Sequence, residues 1–404
     1  MITVEQLGGR PVWEEYAEAA ERKGIGHPDT ITDSICEAVS IALSKEYLSS
    51  AGRILHYNID KGLLSAGTAR KDFRGGKVLK PMRLYIGDRA TFEFMGKKIP
   101  VREVAAGAAR KWISENLRFV EPERHVRCNV VLAPGSAQLA KIYTNGSGVP
   151  AANDTSAATG YWPLSPTEEM VLALEKYLNS KAFKNRFPET GEDVKVMGLR
   201  EGRQLSLTVA MPLVDRFIRT EAEYFERKQT VLEMMERFVA ARNRGAFDDV
   251  LLYFNSLDER GKGLAGIYLS VLGTSAEDAD SGQAGRGNRV NGLISFCRPQ
   301  GMEAAAGKNP KSHVGKIYNV LSYKLARRIY EEVEGLSEAC VLLVSRIGLP
   351  VNSPPLVSAR LRLKKGVRIG DVSGPAREII EEELSAKKIS SFTRELARGK
   401  YSVC

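Results

Sequence analysis

GIGHPDTITD, residues Gly24 to Asp33, opens the run whose hydrophobic spacing first speaks to the fold. Ile31, Ile35, Val39 and Leu43 recur every fourth residue, so the spacing predicts a helix from about Thr30 to Tyr47 with one buried stripe. Pro28 fixes a turn in front of it, and Thr30 with Asp33 has the spacing of a capping box. His27 and Asp29 then stand at the positive end of a helix dipole, where phosphate is favoured and a carboxylate can hold a divalent cation. The same residues also read as an ordinary helix cap carrying a surface histidine.

Working outward, Val231, Met234, Met235 and Phe238 predict a second helix that stops at Gly245. Ile317, Val320, Leu321, Leu325 and Ile329 predict a third, closed by Gly335. Arg127 to Leu132, Gln204 to Ala210, Val250 to Asn255, Ile267 to Leu272 and Ala339 to Ser345 read as strands. Helices and strands mix along the whole length, which defines an α+β or α/β class. Two stretches, Pro134 to Pro166 and Leu272 to Gly292, carry too much Gly, Pro, Ser, Asn and Asp for regular elements. Loops that long inside compact domains are more often functional than not.

The 404 residues suffice for about two or three domains, and 43% hydrophobic with 27% charged residues excludes a disordered chain. Lys and Arg number 59 against 49 Asp and Glu, a net charge of +10 that calls for an anionic partner. Acids and bases are interleaved, as in KLARRIYEEVEG, so a phosphate-bearing small substrate fits at least as well as nucleic acid. The densest apolar run, Ala339 to Val344, falls far short of the ~18 residues of a membrane span. The N-terminus has no signal-peptide pattern, and the five cysteines are widely spaced, as in a cytoplasmic protein with reduced thiols. Neither they nor the four histidines have zinc-site spacing.

Three further segments carry chemistry. GMEAAAGKNPKSHVGK, Gly301 to Lys316, looks like a P-loop but has the wrong glycine spacing and Asn309 where Ser or Thr would stand. Lys308, Lys311, His313 and Lys316 in it make either a polyphosphate cradle or a solvated basic loop. ADSGQAGRGNR, Ala279 to Arg289, offers flexible backbone, the Asp280 carboxylate and the Arg286 fork. ANDTS, Ala152 to Ser156, is by itself only turn chemistry.

Together these segments resemble one family, the S-adenosylmethionine synthetases, and specifically its archaeal branch. GIGHPDTITD, ANDTS followed by Gly160-Tyr161, GEDVKVMGL, DSGQAGRGNRVNGLI and GKNPKSHVGKIYN occur in that family's order, from about Glu21 to beyond Ser345. The resemblance implies an α+β fold of three similar two-layer α/β domains in a pseudo-threefold arrangement, discontinuous in sequence. Residues 1–145, 146–249 and 250–404 approximate the three, with segments exchanged between them. It further implies a homodimer with active sites at the subunit interface, without nucleic acid or membrane as partner. The reaction it implies joins L-methionine to C5′ of ATP and then cleaves the released triphosphate to phosphate and diphosphate, with Mg2+ and K+ as cofactors. An ATP or polyphosphate hydrolase of the same fold that lost methionine use is the alternative.

By the same resemblance, His27 hydrogen-bonds the departing oxygen, Asp29 and Glu21 are magnesium carboxylates, and Asp60 is the monovalent-cation carboxylate. Lys195, Arg286 and Lys308 face phosphate; Asp154 holds ribose; Asp193, Asp280, Gly135, Ser136 and Lys316 line the substrates. Some positions depart from the family. Gly287 follows Arg286 where bacterial members have Lys, leaving Arg289 or Lys316 to supply that charge. No aspartate stands at the second magnesium position, for which His313, Asn309 and Asn319 are the candidates. Gln138 and Ala66 replace a carboxylate and a glycine usual in the archaeal branch. Ala140 to Ala152 is the candidate gating loop.

Overall fold

The protein is described by a computed structural model covering residues 1–135 and 148–404. Three sheets, each with helices packed on one face, use one connectivity three times. In the first, the helix Pro28–Ala51 leads to the antiparallel strands Tyr57–Ser65 and Met82–Ala90. A second helix, Val101–Asn116, then returns the chain to Val126–Pro134, parallel to its predecessor. A parallel neighbour cannot be reached by a tight hairpin, and the helix supplies the crossover. The second unit repeats this with helix Pro166–Leu178, strands Lys195–Glu201 and Gln204–Ala210, helix Glu221–Asn243 and strand Asp249–Phe254. The third runs through helix Val314–Glu332, strands Leu336–Val344 and Leu356–Leu363, and helix Ile369–Glu383. Its parallel strand is the N-terminal Ile2–Gln6.

Each sheet is completed by an antiparallel strand lent from elsewhere. Ala17–Lys23 follows the parallel strand of the third unit and pairs in the second. Ala157–Trp162 follows that of the first and pairs in the third. Gly282–Gln283 follows that of the second and pairs in the first. The exchange is cyclic, so each sheet draws strands from more than one of the blocks 1–145, 146–249 and 250–404. The approximate blocks are thus tied together by exchanged segments, the lent strands being hydrogen-bonded into their neighbours' sheets.

Burial of the periodic stripes drives each layer. Ile31, Ile35, Val39 and Leu43 are at most 2% exposed and pack against Ile59, Leu84 and Ile86 of the first sheet. The expected helices are all present, the first extending from Pro28 to Ala51. Two local expectations are corrected. Ile267 to Leu272 forms only the two-residue strand Leu269–Ser270, because the Glu277 carboxylate accepts the Val271 and Leu272 amides (2.8 and 2.6 Å). The capping box also does not form: Asp33 accepts the Gly285 N–H (2.8 Å), Thr30 Oγ1 donates to the Lys23 carbonyl (3.1 Å), and His27 caps the helix instead.

Candidate active site

The first cluster forms where three segments meet at the start of the Pro28–Ala51 helix. His27 is the N-cap, and its Nδ1 accepts the Asp29 N–H at 3.2 Å. Gly26 lies so close to the Glu192 backbone that a Cβ would overlap it, and Gly282 stands likewise against the Pro28 carbonyl. These contacts lock GIGHPD between the GEDVK and DSGQAG segments. The Gln283 N–H donates to Asp29 Oδ1 (2.9 Å), and Lys23 Nζ donates to Asp29 Oδ2 (2.9 Å) and to the Arg286 carbonyl (2.8 Å). Glu21 pairs with Lys195 (3.1 Å) and lies 3.9 Å from Lys23. In the sheet register Lys195 is directly opposite Lys23, and Met197 opposite Glu21, which brings both lysines to one carboxylate. Asp193 accepts the N–H and the hydroxyl of Ser275 (2.8 and 2.5 Å), which fixes the loop leading to Asp280. Asp280 and Arg286 are exposed at the mouth, and the Arg286 guanidinium has no partner among the described residues.

Electrostatics follow from burial. Burial pushes the His27 pKa down to about 4, with Lys23 and Lys195 adding to it against the pull of Asp29 and Asp280. The imidazole is neutral at pH 7, and because Nδ1 is an acceptor the proton resides on Nε2. Burial raises Asp193 to about 6 despite its bonds to Ser275, and raises Asp33 to about 6 despite the Gly285 N–H.

The second cluster lies along the same helix, about 12 Å further if Asp29 and Glu37 are taken as reference points at ~1.5 Å per residue. Lys308 donates to Asp60 (2.5 Å) and lies 3.5 Å from Glu303, which in turn accepts the Ser156 hydroxyl. Asn153 N–H donates to the Ser312 carbonyl (3.1 Å), so ANDTS and GKNPKSH meet, with Asp154 exposed beside them. His313 caps the helix Val314–Glu332 as His27 caps its own, Nδ1 accepting the Gly315 N–H at 3.2 Å. Burial, with Lys308 close by, depresses its pKa to about 3. Gly135, ending the strand Val126–Pro134, leaves room for the His56 ring; Ser136, Gln138 and the part of the candidate gating loop from 140 to 147 lie outside the described residues.

Two expectations are corrected here, and a third group, Asp60, meets competing partners. Lys316 is fully buried, its ammonium on Glu37 (2.8 and 2.6 Å) and Ser40 (3.1 Å), so it braces two helices and cannot face a substrate. Arg289 is turned onto the Gly285 and Gly287 carbonyls (2.7 Å each), so neither it nor Lys316 supplies the charge missing after Arg286. Asp60, the expected K+ carboxylate, is met by donors on both oxygens: Lys308 takes one, while Lys61 (2.6 Å) and Asn58 (3.0 Å) take the other. Burial alone would raise the Asp60 pKa, but Lys308 and Lys61 hold it well below the usual carboxylate range. Glu21 and Asp29 do fit a hard divalent cation. Among the described residues no three His, Cys, Asp or Glu converge as a complete metal site, but Mg2+ is usually held by one or two carboxylates plus substrate phosphates.

Sequence reasoning missed Lys23, Asp33 and Glu303. A basic residue four positions before His27 was the available signal for Lys23, but only the sheet register brings its ammonium to Asp29.

A carboxylate pair, Glu21 and Asp29, flanked by Lys195 and Lys23, thus stands on a threefold-repeated α+β scaffold. The S-adenosylmethionine synthetase (AdoMet synthetase) family model matches residues 1–400. S-adenosylmethionine synthase of Pyrobaculum neutrophilum is 43% identical over 408 residues, covering 100% of both chains. That of Hyperthermus butylicus is 43% identical over 100% of this chain and 99% of its own. An unusual S-adenosylmethionine synthetase from Campylobacter jejuni, 14% identical, shares the fold with a TM-score of 0.60 over 95% of this chain and 94% of its own. The chain belongs to the S-adenosylmethionine synthetase family, and its activity is methionine adenosyl transfer.

Proposed function

We propose that the two clusters are the two halves of one active site, completed between two copies of the chain. The observation that carries this is that each cluster borders an uncovered sheet face. Lys195 shares its face with Leu199, Leu251 and Tyr253, which are 42%, 41% and 47% exposed. Lys61, beside Asp60, shares another with Leu63 and Val131, 43% and 59% exposed. Apolar faces of this kind are unusual on a monomer and suit a twofold dimer.

In this reading ATP lies between His27, Lys195, Arg286, Asp193 and Asp280 of one copy and Lys308, Asp154 and Gly135 of the other. The methionine sulfur attacks C5′, the C5′–O5′ bond breaks, and the electron pair leaves on the triphosphate, giving the sulfonium product. A neutral thioether is a weak nucleophile, so positioning and stabilisation of the departing charge carry the rate. His27 Nε2–H donates to the departing oxygen, while Lys195, Arg286 and Lys308 meet the phosphates. Glu21 and Asp29 would hold Mg2+, which supplies Lewis-acid stabilisation of the triphosphate. Water then cleaves the triphosphate to phosphate and diphosphate. The five cysteines are free thiols and no helix among the described residues could span a membrane. Both fit the cytoplasmic location we assign.

Incubation with ATP alone and with ATP plus methionine separates this reading from polyphosphate hydrolysis. Mass spectrometry should detect the sulfonium product only with methionine present; phosphate release without it would contradict the reading. The shared site is tested by co-expressing His27→Ala and Lys308→Met chains, each inactive alone. Random pairing gives one intact site in half of the dimers, so activity should return to about a quarter of the wild-type value. No recovery in confirmed mixed dimers would place both clusters in the same subunit's site.

A further inference from the structure

Both carboxylates of the first cluster already carry an ammonium. Lys195, 42% exposed at its side chain, reaches Glu21 from solvent; Lys23, only 13% exposed, lies on Asp29. The Lys23 backbone is fixed to both neighbouring loops. Its N–H donates to Asn288 Oδ1 (2.9 Å), and its carbonyl accepts from Asn288 Nδ2 (2.8 Å) and Thr30 Oγ1 (3.1 Å). The flexible four-carbon stem is therefore the part that can move. Asp29 Oδ1 is held by the Gln283 N–H, so Oδ2 is the oxygen open to a metal, and it is the one Lys23 occupies at 2.9 Å.

We infer that Lys23 is a positioning residue that keeps Asp29 from binding a divalent cation until a polyphosphate draws its ammonium away. A cation bonded to Oδ2 and an ammonium on the same oxygen repel each other strongly in so sheltered a site. Phosphate oxygens offer the ammonium an alternative partner. Metal and polyphosphate therefore bind with positive coupling, and by linkage each tightens the other by the same factor. The inference rests on the reading of Asp29 as a metal ligand and deepens it.

The test is direct Mn2+ binding to the full chain by electron paramagnetic resonance, with and without inorganic tripolyphosphate and without methionine. Lys23→Met should bind Mn2+ at least tenfold more tightly than wild type when tripolyphosphate is absent, while Lys23→Arg should match wild type. Tripolyphosphate should tighten binding much more in wild type than in Lys23→Met. Lys23→Gln, which retains a donor for the Arg286 carbonyl, should behave like Lys23→Met and serves if that variant melts early. A residue that merely clamps the loop predicts the opposite direction, weaker binding on its loss. Equal or weaker binding in both neutral variants would overturn the role of Lys23, provided Asp29→Asn still lowers affinity. If adding Asp29→Asn to Lys23→Met leaves the gain intact, it is Asp29 as a ligand that fails.

Discussion

Replacing His27 with alanine is expected to lower kcat by about 10²–10³-fold, the usual loss when one preorganised donor to a developing negative charge is removed. The neutral, Nε2-protonated ring follows from burial and from the cap that occupies Nδ1. In the proposed reading its role is donation of a hydrogen bond, without a net change of protonation near neutrality. The wild-type kcat should accordingly show no inflection near 6.5 attributable to histidine. The cap itself contributes about 1 kcal/mol, and His27→Asn should preserve it because asparagine caps well. Comparing His27→Asn with His27→Ala separates the roles: the melting temperature should recover and kcat should not. Turnover near wild type in His27→Ala would remove the assigned role.

Lys316→Met is expected to destabilise the fold by about 3–5 kcal/mol, the cost of leaving a buried carboxylate without its partner. Glu37 is 8% exposed and also accepts the Gly307 N–H at 3.0 Å, so it cannot turn outward without opening the GKNPKSH loop. A fall in melting temperature of about 4–6 °C follows for a chain of 404 residues. Adding Glu37→Gln should recover much of the loss, since the buried charge is then gone. The pH dependence has a definite sign. Burial raises the Glu37 pKa, and removing the ammonium raises it further. A carboxylate whose folded pKa exceeds its unfolded value destabilises the fold increasingly as pH rises from the unfolded value to the folded one. The variant should therefore lie nearest to wild type in acid and furthest above neutrality. Unfolding monitored by calorimetry or denaturant across that range checks this; an unaltered melting temperature would mean that the pair does not brace the helices.

Much of the architecture was legible because it rests on local periodicity. The helix containing Ile31, Ile35, Val39 and Leu43 followed from spacing alone, and Gln204 to Ala210 was read to its exact ends. The resemblance implies discontinuous units, but which strands are exchanged is not legible. Ala17–Lys23 reads as an ordinary charged segment, Ala157–Trp162 lies inside a stretch whose composition predicts loop, and Gly282–Gln283 is only two residues long. Their strand character comes from a partner in another unit, and no local pattern encodes that.

The same division holds for the site. Five motifs in order were sufficient to identify the family, and it is that resemblance, where local chemistry leaves a plain helix cap or a solvated loop open, that points to His27, Asp29, Lys195, Arg286 and Lys308. Tertiary structure decided what each group meets. It put Lys308 on Asp60, buried Lys316 against Glu37, turned Arg289 inward and brought Lys23 to Asp29. Residue type determines what a side chain is able to bind. Which neighbour satisfies it depends on contacts between residues more than two hundred positions apart in several of these cases, and those exist only once the three units have exchanged strands.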